Sequence, residues 1–174
     1  MWKFRCIVLA ALLNIASSAH AEPSVQAGFS PEGSARKLVL ETIGSARHSV
    51  RMLAYTFQAP DVAQALVDAR SRGVEVRVVI DKKRNLGKTS KAAMDFVARN
   101  GVELRTNDHF HIHHDKTIIV DDHTVETGSF NFASSAETAN SENVVVIRGM
   151  PEVSRQYVAH WQSRWDLGEP YPMR

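Results

Sequence analysis

The chain has 174 residues, of which 21 are basic and 19 acidic, for a net charge of +2. So small an excess excludes overall basicity as the means of attracting a polyanion, and any such attraction has to be local. The single cysteine, Cys6, excludes an intrachain disulfide.

The first residues carry Lys3 and Arg5, Cys6 to Ala16 is apolar apart from Asn14, and Ala19-His20-Ala21 fits the small-x-small cleavage pattern of a secretory signal. Residues 1–21 therefore read as a signal peptide and residues 22–174 as one domain of ordinary size. Cleavage after Ala21 leaves 153 residues with as many bases as acids. The apolar run falls well short of the roughly 20 residues that a membrane-spanning helix needs. An exported protein is expected, periplasmic or secreted, with no stable membrane association.

Behind a short polar leader, Ala35, Leu38, Val39, Thr42 and Ile43 recur at helical spacing within Ser34–Ala46. Ser49–Tyr55 is strand-like, and Pro60-Asp61 opens an amphipathic helix carrying Val62, Ala65, Leu66 and Ala69 that ends before Gly73. Val74–Ile80 is the clearest strand. After a polar loop, Asp81–Thr89, come a helix over Ser90–Asn100 stopped at Gly101 and a strand over Val102–Arg105. The second half changes rhythm: strands around Lys116–Val120, Thr124–Thr127 and Asn143–Ile147 are separated by one turn and a short helix, Ala133–Ala139, which implies antiparallel pairing. Pro151–Leu167 closes the chain as a helix with Val153, Tyr157, Trp161 and Trp165 four apart. The expected fold is α/β: a single-domain mixed β-sheet sandwiched between helices.

Chemistry concentrates in His114-Asp-Lys116-Thr-Ile-Ile-Val-Asp121 and in Gly128-Ser129-Phe-Asn131. Side chains two apart in a strand share a face, so His114 and Lys116 project together, a nucleophile beside a cation. Phosphodiesters are anionic and resist attack. Their cleavage needs a nucleophile, a proton donor for the departing alkoxide and fixed donors around the phosphoryl oxygens. His114 can attack, while Lys116, Ser129 and Asn131 can hold the oxygens.

This pattern, His-x-Lys-x4-Asp followed by Gly-Ser-x-Asn, resembles the signature of the phospholipase D superfamily, and in particular its small exported single-motif bacterial endonucleases. The resemblance runs from about Phe29 to Leu167. It implies a sequence-nonspecific nuclease acting on DNA, with RNA as a second candidate substrate, through a phosphohistidine intermediate, with no metal and no other cofactor. One site needs a neutral histidine to attack and a protonated one to donate, and a single motif supplies only one. A two-fold homodimer that brings both copies of His114 to one phosphate solves this, and the resemblance implies the same arrangement.

An uninterrupted strand turns Asp121 away from His114 and Lys116, so besides the catalytic set it has a reading as a strand brace. Glu142 is the candidate to accept a hydrogen bond from the His114 ring and fix its tautomer, a role to which the resemblance also points. Ser129 and Asn131 could instead serve as turn formers after Gly128. The basic run Lys82-Lys83-Arg84 follows a strand, where binding loops of α/β folds lie, and is expected to contact phosphates, although such runs are commonly just solvated. His109, His111 and His113 share a face if extended. That spacing suits a transition metal and gives a further alternative, a non-catalytic periplasmic metal-binding protein. A phospholipase D-type lipid phosphodiesterase is the other.

Overall fold

The computed structural model describes residues 22–172, so the signal-peptide segment lies outside the described residues. The elements run β1 (Ser24–Ser30), α1 (Ser34–Gly44), β2 (Ser49–Ala54), α2 (Pro60–Ser71), β3 (Glu75–Asp81), α3 (Lys88–Arg99), β4 (Glu103–Asn107), β5 (Lys116–Val120), β6 (Thr124–Gly128), α4 (Ser134–Thr138), β7 (Glu142–Arg148), α5 (Pro151–Asp166) and β8 (Glu169–Pro170). All strands join one mixed sheet in the order β1-β7-β6-β5-β2-β3-β4-β8. The β2, β3 and β4 strands are parallel, as helix crossovers require, while β5, β6 and β7 pair antiparallel through short connections.

Two strands escape the sequence pattern. The segment read as a polar leader is β1, an edge strand of which only Gly28 and Ser30 are buried, so no alternation of apolar residues marks it. Two-residue β8 is too short to have a period. It pairs Arg105 with Pro170 and Thr106 with Glu169 at the other edge.

The core divides by sheet face. On one side α1, α2 and α3 bury Leu38, Val39, Ile43, Leu66 and Val97 against Val50, Met52, Val78, Ile80 and Ile118. On the other, α5 packs Trp161 over Leu53, Val79 and Ile119, flanked by Tyr157 and Trp165. Trp161 is fully buried and its indole N–H donates to the Met52 carbonyl at 3.2 Å, so its one polar atom is satisfied. The Trp stripe of α5 is thus core, with the Trp165 ring stacked 5.1 Å from that of Trp161.

The α5 layer is incomplete. It touches β2, β5 and β6, while Val25 and Phe29 on the same side of β1 stay 57% and 53% exposed. Their cross-strand partners are Ile147 and Asn143, so an apolar strip of sheet beside α5 lacks a helix.

Candidate active site

The antiparallel insertion of β5 beside β2 brings His114, Lys116 and the Gly128–Asn131 segment to one end of the sheet. Lys116 opens β5 opposite Ala54 at the end of β2, Gly128 closes β6, and Glu142 opens β7 opposite Ser30 of β1. There His114, Lys116, Gly128, Ser129, Asn131, Glu142 and Asn143 line an open cleft of about 620 Å³. Phe130 and Phe132 are both buried, and the alternating Ser129 and Asn131 line the cleft. A Cβ on Gly128 would lie 2.1 Å from the Asn143 carbonyl oxygen, so only glycine lets β6 and β7 approach this closely.

His114 is solvent-exposed, and its ring meets that of Tyr55 edge-on at 4.5 Å. The Lys116 ammonium donates to the His114 carbonyl at 2.9 Å and sits 3.4 Å from its Nε2. An ammonium can only donate, so Nε2 faces it as a lone pair and the proton of the neutral ring belongs on Nδ1. Lys116 is 7% exposed. Burial pushes its proton affinity below the usual lysine range, and the charges of Glu142 and Asp115 pull it partly back. The cation is poorly hydrated and ready for an anion.

Ser129 joins two strand ends. Its hydroxyl donates to Glu142 Oε2 at 2.5 Å and accepts from the Asn143 backbone N–H at 3.0 Å. The second Glu142 oxygen accepts from Asn140 Nδ2 at 2.9 Å. Glu142 therefore spends both oxygens on Ser129 and Asn140, and among the described residues it does not bond the His114 ring of its own chain, a departure from expectation. Asn131 lines the cleft with its Oδ1 buried and without a hydrogen-bond partner, so the amide N–H is the group that can donate to an anion there.

Asp121 lies outside this group. Its Oδ1 accepts the backbone N–H of His48 at 2.7 Å and of Ser49 at 2.8 Å, and its Oδ2 that of Arg47 at 3.0 Å. This corrects its inclusion in the catalytic set and fits the brace reading. Continuing as a strand would have prevented it; Asp121 instead turns into the left-handed region with φ 52°.

The basic run is divided. Lys82 is held by Asp108 and Glu169, each at 2.9 Å, and those hydrogen bonds, Glu169 first, raise its proton affinity. Already paired, it is a poor phosphate ligand, contrary to expectation. Lys83 is exposed. Arg84 lies 5.8 Å over the ring of Tyr55, the residue that His114 meets edge-on. The histidine run does not converge either: His109 and His111 are exposed, His113 is buried, and among the described residues no three ligand-type side chains group to hold a metal.

Sequence reasoning missed Tyr55, Asn85, Asn140 and Asn143. Asn85 is buried, donates to the carbonyls of Tyr55 at 2.7 Å and Asp81 at 2.8 Å, and accepts from the Phe57 N–H at 2.9 Å. It fixes the segment that carries Tyr55. Nothing in its local sequence distinguishes it from a loop asparagine.

Comparison with known proteins agrees with this geometry. The cardiolipin synthase, PLD-like domain family matches residues 39–165. The chain belongs to the phospholipase D superfamily of phosphodiesterases. It is 36% identical over 136 residues to a phospholipase D of Rickettsia bellii (strain RML369-C), covering 78% of this chain and 66% of that protein. It thus spans about two thirds of the length of that relative. Among solved structures it superposes on Nuc, a phospholipase D family member from Salmonella typhimurium, with a TM-score of 0.85 and 58% identity over 86% of this chain and 99% of that one. NucT from Helicobacter pylori, 21% identical, shares the fold with a TM-score of 0.78 over 86% of this chain and 100% of that one.

Proposed function

We propose that the chain is an exported, metal-independent, sequence-nonspecific endonuclease that hydrolyses DNA at a site completed by a second copy. The observation that carries this reading is the pairing of exposed His114 with the largely buried Lys116 ammonium 3.4 Å from its Nε2, in an open cleft. In the first step His114 attacks phosphorus, the P–N bond forms and the P–O bond to the leaving nucleoside breaks. The partner's His114 supplies the proton. In the second step that histidine, now neutral, takes a proton from water as the water oxygen displaces His114. Lys116 and Asn131 stabilise the charge on the non-bridging oxygens in both steps.

The half-covered sheet supports the second copy. Phe29, Val25 and Ile147 form an open apolar strip that continues into the cleft through Asn143, so a partner seated there would bury the strip and bring its own cleft to the same place. Glu142 does not reach His114 within one chain, and the two-fold arrangement lets it fix the ring of the partner's His114. One observation favours a second reading as a lipid phosphodiesterase. Leu86 and Ile112, in loops at the cleft end of the sheet, are 62% and 46% exposed and could meet a bilayer.

Turnover of duplex DNA against that of phosphatidylglycerol vesicles separates the two. A nuclease degrades DNA at a rate that falls steeply between 50 and 200 mM salt, as phosphate contacts demand, and leaves the vesicles intact. Vesicle turnover without DNA cleavage overturns the nuclease reading.

A further inference from the structure

Asp115 stands between the two motif residues and faces the other way. Where His114 and Lys116 point into the cleft, the Asp115 carboxylate points toward α5, and its Oδ1 lies 3.2 Å from Nε2 of His160. An ionised carboxylate only accepts, so His160 Nε2 carries the hydrogen and donates it. The other oxygen lies 3.7 Å from Nε2 of His113, too far for a good hydrogen bond. The His113 ring is buried with both nitrogens unpartnered, and burial lowers its proton affinity against the pull of Asp115 and Asp81. His160 is the side chain that bonds this carboxylate.

His160 is itself held in place. Its neighbour Trp161 is locked under the sheet and bonded to the Met52 carbonyl, and Ser163 Oγ donates to the His160 carbonyl at 2.6 Å. From Asp115 the connection runs to the cleft by two routes. The Asp115 carbonyl accepts the Tyr55 N–H at 2.9 Å, and the Tyr55 ring abuts His114. The Asp115 charge also acts on the Lys116 ammonium. A carboxylate free to swing would change both the seat of His114 and the field at Lys116.

We propose that His160 is a positioning residue for the reaction, acting through Asp115 to fix the segment that presents His114 and Lys116. This rests on the phosphodiesterase reading given above. It assigns α5, which contributes no residue to the cleft, a part in catalysis. The helix links the sheet core to the back of the motif.

The test is steady-state cleavage of bis(p-nitrophenyl) phosphate by wild type, His160→Ala, His160→Gln and Gln156→Ala, with melting temperatures measured in parallel. This small diester reports on the chemistry independently of whether the natural substrate is nucleic acid or lipid. His160→Ala is expected to lower kcat about tenfold with KM unchanged and the melting temperature within a few degrees of wild type. His160→Gln, whose amide N–H can reach Asp115, recovers most of kcat. Gln156→Ala lines the same surface hollow and leaves kcat at the wild-type value. Wild-type kcat in His160→Ala, equal losses in the Ala and Gln variants, or a loss confined to KM each overturns the assignment while leaving the functional reading intact. A wild type that cleaves neither this diester nor DNA nor phosphatidyl vesicles overturns both.

Discussion

Glu126 is fully buried on β6 with Oε2 unpartnered, and burial raises its carboxyl to about 8 from the 4.5 of an exposed glutamate. Between those values the unfolded chain has released a proton that the folded protein keeps, so stability falls as pH rises from about 4.5 to about 8. Glu126→Gln removes that proton, and chemical denaturation at pH 5 and pH 8 is expected to show a flatter dependence, with the variant gaining a few kcal/mol relative to wild type across the interval. An unchanged slope would contradict a neutral buried carboxyl. Asp121 has the opposite sign. Burial alone would raise its carboxyl, but the N–H groups of Ser49, His48 and Arg47 together hold it below the usual range. Its stabilisation is present above the unfolded value of 3.8 and is lost as pH falls through the lowered one. Asp121→Ala should cost about 1–3 kcal/mol while kcat stays within a few-fold of wild type, because the residue touches backbone rather than cleft. A loss of activity without a loss of stability would return Asp121 to the catalytic set. The residue types of the site were legible in the sequence because His114, Lys116, Ser129 and Asn131 sit at a spacing that strand geometry makes meaningful. The bonding of Glu142 was not, since its choice of Ser129 and Asn140 depends on how β6 and β7 end side by side.

At the scale of elements, the junction of β6 and β7 is the tightest constraint on the cleft. A methyl at Gly128 would collide with the Asn143 backbone carbonyl, which cannot swing aside as a side chain could. Gly128→Ala is therefore expected to destabilise the protein by about 2–4 kcal/mol through overpacking, and to lower kcat more than tenfold by displacing Ser129 and Asn143 together. Thermal melts and turnover on the same preparation check both, and wild-type turnover would mean that the strand ends are free to separate. The elements with a clear apolar period, α1, α2, β3 and α5, lie within a few residues of their expected bounds. The β1 edge strand was hidden because its outward residues, which include Val25, Gln26 and Phe29, have no periodic partner in the core. Lys82 was misjudged for a related reason. Its acidic partners Asp108 and Glu169 are far away in sequence and meet it only once β3, β4 and β8 lie side by side.

For the whole molecule, one sheet does two jobs: its covered faces supply the core, and its cleft end collects residues from β5, β6, β7 and the segments beside them. The mixed topology was legible from the change of rhythm after Arg105, because strands joined by short turns pair antiparallel and strands joined through helices pair parallel. The open strip beside α5 was not, since it depends on which strands one helix happens to cover. That strip and the single His114 per chain are the grounds for the proposed two-fold partner, and a site that sets imidazole, ammonium and amide groups beside the Ser129 hydroxyl and the Glu142 carboxylate has what phosphoryl transfer needs. The most direct measurement is the nicking of supercoiled plasmid by the protein in excess EDTA, with His114→Ala alongside. Conversion of the plasmid by wild type and a loss of at least a thousand-fold in the variant is the predicted result; cleavage that stops in EDTA and returns with zinc, or a His114→Ala protein as active as wild type, would contradict it.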